Sequence, residues 1–321
     1  MKTLLRNALR LLDVLLFPFT CVALAWLRLV RFAGMRRMPL SRAATRVIGI
    51  FPLRDHFYEP LFHPRHLPPG HDQVDRELPG VDLDVAGQRK LLAQLRYGGE
   101  IEALSKSPPG PGVPNFLAGN FGAGDSEFLY SMVRHAKPRR IFEIGSGNSS
   151  LVSLAALAKN RGDDRARGGE LTCIDPHAPA KVDATGARVV RRKVEELGRS
   201  CFEELERGDL LFIDSSHVIR PRGDVLFEFL ELLPTLQSGV LVHVHDVFTP
   251  RDYPAALLVE RGCFWNEQYL LEAFLTQNRD FRVVAALNHL WYHHFDELAA
   301  ACPLLRAIPA ARPGSFWMVR A

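Results

Sequence analysis

Beyond Pro114 the sequence alternates short apolar runs with longer helical stretches, and this rhythm constrains the fold more than any other feature. The runs are 140–144, 171–174, 188–194, 209–213 and 239–245, and helices are expected over 150–159, 195–206 and 223–233. A strand followed by a helix and then another strand returns the chain to the same sheet edge, so the strands are parallel and their crossovers right-handed. All-helical and hairpin-built folds are thereby excluded. Another helix, capped by Asp125, is expected to run to about residue 135 and to stop at Pro138. The last two runs, 281–287 and 315–320, lack a clear crossover helix and are expected as an antiparallel edge pair. The fold class is therefore α/β: a Rossmann-like, doubly wound, mostly parallel seven-stranded sheet with an antiparallel C-terminal strand.

Sheets of this kind bind ligands beyond the carboxyl ends of their strands. The first strand runs into Phe142-Glu143-Ile144-Gly145-Ser146-Gly147-Asn148-Ser149-Ser150, a Gly-rich turn opening a helix. Gly145 and Gly147 permit a tight turn and close approach of a ligand to the backbone. The third glycine of a dinucleotide site is replaced by serine. An acid, Glu143, precedes the turn; aimed into the pocket it would repel a pyrophosphate and attract an ammonium or sulfonium group. Asp175 ends the second strand, where a carboxylate can accept both hydroxyls of a ribose; an ordinary turn aspartate is the alternative.

Two further strand ends carry Asp214-Ser215-Ser216-His217 and His243-Val244-His245-Asp246. Asp214, Asp246 and His217 suit a divalent cation such as Mg2+, and Asp214, His217, His245 and Asp246 suit the orientation or deprotonation of a hydroxyl. His243 reads as a buried, hydrogen-bonded histidine. Tyr253, Trp265, Asn266 and Glu267 either bound an acceptor pocket or belong to an amphipathic helix with Leu270, Leu271 and Phe274. His289, His293 and His294 read as a solvated cluster.

The order Glu143-x-Gly145-x-Gly147, Asp175, Asp214 and Asp246, closed by a terminal strand pair, resembles a class I S-adenosylmethionine-dependent methyltransferase. The run His243 to Pro254, with Trp265 to Leu271, resembles a bacterial subfamily of these enzymes, and the likeness covers residues 115–321. It implies that Glu143, Gly145, Ser146 and Gly147 line the methionine end of S-adenosyl-L-methionine, that Asp175 meets its ribose, with Asp214 nearby, and that Glu195 or Glu196 lies on the adenine side. The expected reaction is O-methylation of a small-molecule, sugar, glycan or lipid-linked acceptor, with His245 as base, Asp214 and Asp246 as metal or hydroxyl-orienting groups, and His217 able to take either histidine role. Two other functions fit the same residues: a hydroxylase on a methyltransferase-like fold, and a non-catalytic scaffold of a membrane-bound assembly. Convergent polar groups at strand ends argue against the scaffold.

The net charge of +4 hides an asymmetry. Residues 1–50 carry nine bases and one acid, leaving 31 bases against 35 acids elsewhere. The body therefore lacks the basic footprint of a nucleic-acid binder. On a helical wheel Lys2, Arg6, Arg10, Asp13, Arg28 and Arg31 share one narrow stripe opposite a wide apolar face, as in a helix lying in the headgroup plane of an anionic membrane. A spanning signal anchor, a signal peptide cut after Ala23-Leu24-Ala25 and a docked core helix are the alternatives. Residues 1–50 are thus a basic amphipathic or membrane-anchoring segment, 51–114 a Pro-rich connector or cap and 115–321 the methyltransferase domain. His56, His63, His66 and His71 fall among prolines that deny them a regular scaffold and read as surface loop. Five cysteines without a CxxC pair suit a reducing compartment, and the expected location is cytoplasmic, at the inner membrane. Oligomeric state is not legible.

Overall fold

The computed structural model describes the chain except residues 1, 35, 51, 54–57, 59, 109, 111, 166, 167 and 309, and the side chains of residues 2–4 and 64. His56 and the Lys2 side chain lie outside the described residues. The chain divides into two compact units, Met1–Pro69 and Gly70–Ala321.

In the first unit, helix α1 (Lys2–Ala33) passes through Pro18, and α2 (Pro39–Ile48) ends on Gly49 in the left-handed conformation. Within α1, Leu5–Ala33 is long and apolar enough to cross a membrane by length and composition. At about 1.5 Å per residue these 29 residues reach roughly 44 Å. His63 and His66 meet edge to face, and the His63 ring accepts a bond from the Arg65 amide.

The second unit holds the sheet. After α3 (Val85–Leu92), α4 (Gly98–Ser105) and α5 (Asp125–Ala136), the chain alternates β1 (Arg140–Ile144), α6 (Asn148–Asp163), β2 (Glu170–Ile174), α7 (Ala180–Asp183), β3 (Arg188–Val190), β4 (Leu210–Ile213), α8 (Asp224–Phe227) and β5 (Leu241–Val244). Then come α9 (Glu267–Leu275), β6 (Phe281–Ala286), α10 (Leu287–His293), α11 (Phe295–Ala301) and β7 (Phe316–Arg320). The strand order is β3-β2-β1-β4-β5-β7-β6, with β7 antiparallel to both neighbours and the other pairs parallel.

Both faces of the sheet are covered, so successive strand residues feed opposite cores. Ile141, Leu210, Phe212 and Trp317 pack with α5, α6 and α10, whereas Phe142, Ile144, Leu211, Ile213 and Val244 pack with α8, α9 and Phe229. Each such side chain contributes about 1.5–3 kcal/mol on burial.

Four expectations are corrected. The run expected as strand to residue 194 pairs only to Val190, and the helix expected over 195–206 is two 3₁₀ turns, Val194–Glu196 and Arg199–Phe202. Gly198, at φ 73°, interrupts that stretch in a conformation no helix contains. The stretch 223–233 leaves α8 through a π turn at Glu228–Leu232. Two helices, α10 and α11, occupy the β6–β7 connection, where histidines had masked the apolar period.

Candidate active site

Strands β1, β2, β4 and β5 end side by side beneath two open cavities. One, of about 590 Å³, is lined by Gly145, Ser146, Asp175, His177, Glu195, Asp214 and Ser215 among others. Its neighbour, of about 620 Å³, is lined by Asn120, Asp125, Asp214, His217, His245, Asp246, Phe248 and Trp265 among others. Asp214 belongs to both walls.

The Gly-rich turn is pinned between strands, because the Gly145 amide donates to Ile174 O at 3.0 Å and the Asp214 amide to Ile144 O at 2.9 Å. Gly145 adopts φ +88°, and a Cβ there would lie 2.3 Å from the Asp214 carbonyl oxygen, so no other residue fits. Ser146 Oγ donates to Asp175 Oδ2 at 2.6 Å, and the His177 amide to Asp175 Oδ1 at 2.7 Å. Asp175 thus accepts two local bonds at the mouth of the first cavity, whose wall also includes Glu195.

Glu143 takes a different orientation from the one expected. Strand alternation turns it under the first turn of α6, where Ser149 Oγ and Cys173 Sγ donate to its carboxylate, and it is 1% exposed and lines neither cavity. Burial pushes its pKa up to about 7, against the lowering effect of the bonds from Ser149, Ser150 and Cys173.

On the other side of Asp214, two histidines and two carboxylates converge. His217 Nε2 lies 3.2 Å from Asp214 Oδ1 and 3.7 Å from Asp246 Oδ2; His245 Nδ1 lies 3.5 and 3.6 Å from the same two atoms. The other His217 nitrogen, Nδ1, is held by Glu267 Oε2 at 2.7 Å. His245 Nε2 faces Asp125 Oδ2 at 3.8 Å, and Asp125 Oδ1 accepts the amides of Gly314 and Ser315. Both His217 and Asp246 sit at positive φ, 59° and 55°, a strained conformation for residues other than glycine and one that concentrates at functional sites.

The charges shift one another. Burial disfavours protonated His217 and His245, yet the surrounding carboxylates raise both well above the usual imidazole range. Burial would raise Asp214, but the field of His245 and contact with His217 hold it below the usual carboxylate range. Burial raises Asp246. Asp214, His217 and Asp246 place one ligand atom each within 4.8 Å of one another, a geometry a cation could close.

Of the four residues read as acceptor-pocket candidates, Trp265 lines the second cavity. Tyr253 is buried core whose hydroxyl accepts the Gln268 amide, Asn266 Oδ1 accepts the Ile219 amide, and Glu267 orients His217. His243 is buried as expected, stacked on Phe212 and hydrogen-bonded to Ser315. Asp125 was legible only as a helix cap. Gly124 occupies the cap, its amide bonded to Glu127, and the Asp125 carboxylate reaches across to the β7 approach and His245. Its signal was weak because 120 residues separate it from that histidine.

Residues 142–247, from β1 to just past β5, match the family model described as a methyltransferase domain. A curated protein from Archaeoglobus fulgidus, described as uncharacterized, is 26% identical over 180 residues, 52% of this chain and 79% of that one. Among solved structures, the O-methyltransferase TomG from Streptomyces achromogenes, involved in tomaymycin synthesis and in complex with SAM, is 15% identical with a TM-score of 0.39, covering 75% of this chain and 92% of that one. An O-methyltransferase from Bacillus cereus in complex with SAH is 14% identical with a TM-score of 0.31, covering 73% and 90%. The matched segment, described as a methyltransferase domain, and the sheet order β3-β2-β1-β4-β5-β7-β6 with its antiparallel β7 are consistent with a class I S-adenosylmethionine-dependent methyltransferase.

Proposed function

We propose that the chain transfers the methyl group of S-adenosylmethionine to a hydroxyl oxygen of a sugar, glycan or lipid-linked acceptor. The observation that carries this reading is the pair of cavities meeting at Asp214, one bounded by the Gly-rich turn and Asp175, the other by imidazoles and carboxylates. The cofactor occupies the first, with the Gly145–Ser146 backbone along its methionine end, Asp175 at its ribose and Glu195 at its adenine side. Glu143 supports the turn from behind, through Ser149.

The acceptor enters the second cavity, where Trp265 offers a face for a sugar ring and Asp214, Asp246 and His245 bond its hydroxyls. Methyl transfer is an in-line displacement, so alignment supplies much of the acceleration. The acceptor oxygen bonds to the methyl carbon, the carbon–sulfur bond breaks with its electron pair left on sulfur, and the hydroxyl proton passes into the His245 cluster, where Asp246, the carboxylate that burial raises, accepts it. Asp214, Asp246 and His217 also suit a divalent cation, since Glu267 on Nδ1 leaves the His217 Nε2 aimed at the two carboxylates, an orientation seen in metal-binding histidines. Such a cation lowers the pKa of a bound hydroxyl.

Residues 1–50 hold the domain at an anionic membrane on the cytoplasmic face, where a lipid-linked acceptor lies. The test is turnover on fractionated glycan and lipid-linked extracts, read by mass spectrometry. An acceptor gaining one methyl with stoichiometric S-adenosylhomocysteine supports the reading, and an oxygenated product would put a hydroxylase in its place.

A further inference from the structure

The second cluster of metal-ligating groups lies away from the strand ends. His289 and His293 are one turn apart on α10, their ring centroids 4.6 Å from each other, and Asp75 approaches from the segment before α3. Asp75 Oδ2 lies 2.7 Å from His293 Nε2 and 3.7 Å from His289 Nδ1, and one ligand atom from each of the three residues falls within 4.8 Å of the others. The histidines, read from sequence as solvated, are not both so: the His289 side chain is 12% exposed, and both its ring nitrogens are buried without a hydrogen-bond partner. A buried imidazole must carry at least one N–H, and leaving it unpaired is costly.

We infer that Asp75, His289 and His293 form a three-ligand zinc site, with water as the fourth donor. Tetrahedral zinc with bonds of about 2.0–2.1 Å keeps its ligand atoms about 3.4 Å apart, within the spread of the two distances above. Two imidazoles and one carboxylate suit zinc and its neighbours in the transition series and ill suit Mg2+ or Ca2+, which take oxygen ligands. The remaining Asp75 oxygen is fixed by Arg251 Nε at 2.7 Å, and this guanidinium stacks over the Tyr292 ring at 3.3 Å. Arg251 thereby orients the ligand from outside and tempers its charge, which limits affinity without removing the donor. Zinc would clip α10 to the strap around residues 71–76. That strap holds the loop after β5, because Asp72 Oδ2 accepts the Ala255 amide and the Arg76 amide donates to Pro250 O. The same loop supplies Phe248 and Pro254 to the acceptor cavity, so the clip sets one wall of that cavity.

The test uses the full chain, stripped with chelator, equilibrated with Zn2+ and analysed for bound metal by mass spectrometry, alongside His293→Gln, His289→Gln and Asp214→Asn. His293 is half-exposed, so His293→Gln folds as the wild type does, which circular dichroism verifies. Wild type and Asp214→Asn should both hold the zinc that the two histidine variants lack, a difference of about one ion per chain. Affinity should fall at least about tenfold on loss of a ligand, and Zn2+ should raise the Tm of the wild type but not of His293→Gln. Equal zinc content in wild type and His293→Gln overturns the inference.

Discussion

At Asp214 two histidines and a second carboxylate share a space small enough that none acts alone. Groups that work as a unit lose activity non-additively. Asp214→Asn and Asp246→Asn should each reduce kcat at least about a hundredfold, with the double variant little worse than the more impaired single, while binding of S-adenosylhomocysteine persists in Asp246→Asn. Nearly multiplicative losses would show that the two act independently. Glu143 gives a pH signature. Its folded pKa, near 7, lies above its unfolded value, so the folded chain binds the extra proton and stability is lost as pH rises from about 4.5 through 7. The loss is on the order of 3 kcal/mol. Glu127, which burial also raises to about 7, adds a slope of the same sign, so Glu143→Gln should flatten the dependence in part, as denaturant unfolding at pH 5 and 8 would read; an unchanged slope would assign it to other groups. The residue types at the site were legible because strand ends announce themselves by an apolar run stopping at an acid. Side-chain direction at Glu143 was legible only through strand alternation, which places it on the α6 face.

At the scale of elements, β1, β2, β4, β5, β6 and β7 follow their apolar runs to within a few residues, because a strand buried on both faces must be apolar nearly throughout. The 195–206 stretch did not, since charges spaced as on a helix outweighed one glycine that ends it. Asp125 and Glu267 were hidden for another reason: each acts on a histidine from a distant segment, and a contact made by tertiary packing leaves no local period. Gly145 shows the opposite case, a sequence position whose role is fully local. Gly145→Ala forces Cβ into the Asp214 carbonyl and should separate the ends of β1 and β4, costing roughly 2–4 kcal/mol of stability with a measurable loss of cofactor affinity. Thermal unfolding and calorimetry would read both; Gly147→Ala, which meets open space, is the control for stability.

The molecule as a whole joins a mildly acidic sheet unit to a basic, apolar first unit. If the charge stripe holds α1 in the headgroup plane, each base contributes about 1 kcal/mol and salt screens it over roughly 8 Å. Replacing Arg6, Arg10, Arg28 and Arg31 together should then release the chain from anionic liposomes in flotation, and a chain beginning at Gly70 should not float at all. Flotation of the quadruple variant undiminished by salt would favour a spanning helix, which the length of Leu5–Ala33 permits.

Methyl transfer requires cofactor recognition at the Gly-rich turn. The measurement that reaches it most directly is titration calorimetry of S-adenosylhomocysteine into wild type, Asp175→Ala and Trp265→Ala. The predicted result is one site per chain, weakened by about 10- to 150-fold in Asp175→Ala through loss of a charge-assisted bond and unchanged in Trp265→Ala. No binding to the folded wild type, or equal affinity in Asp175→Ala and wild type, would contradict it.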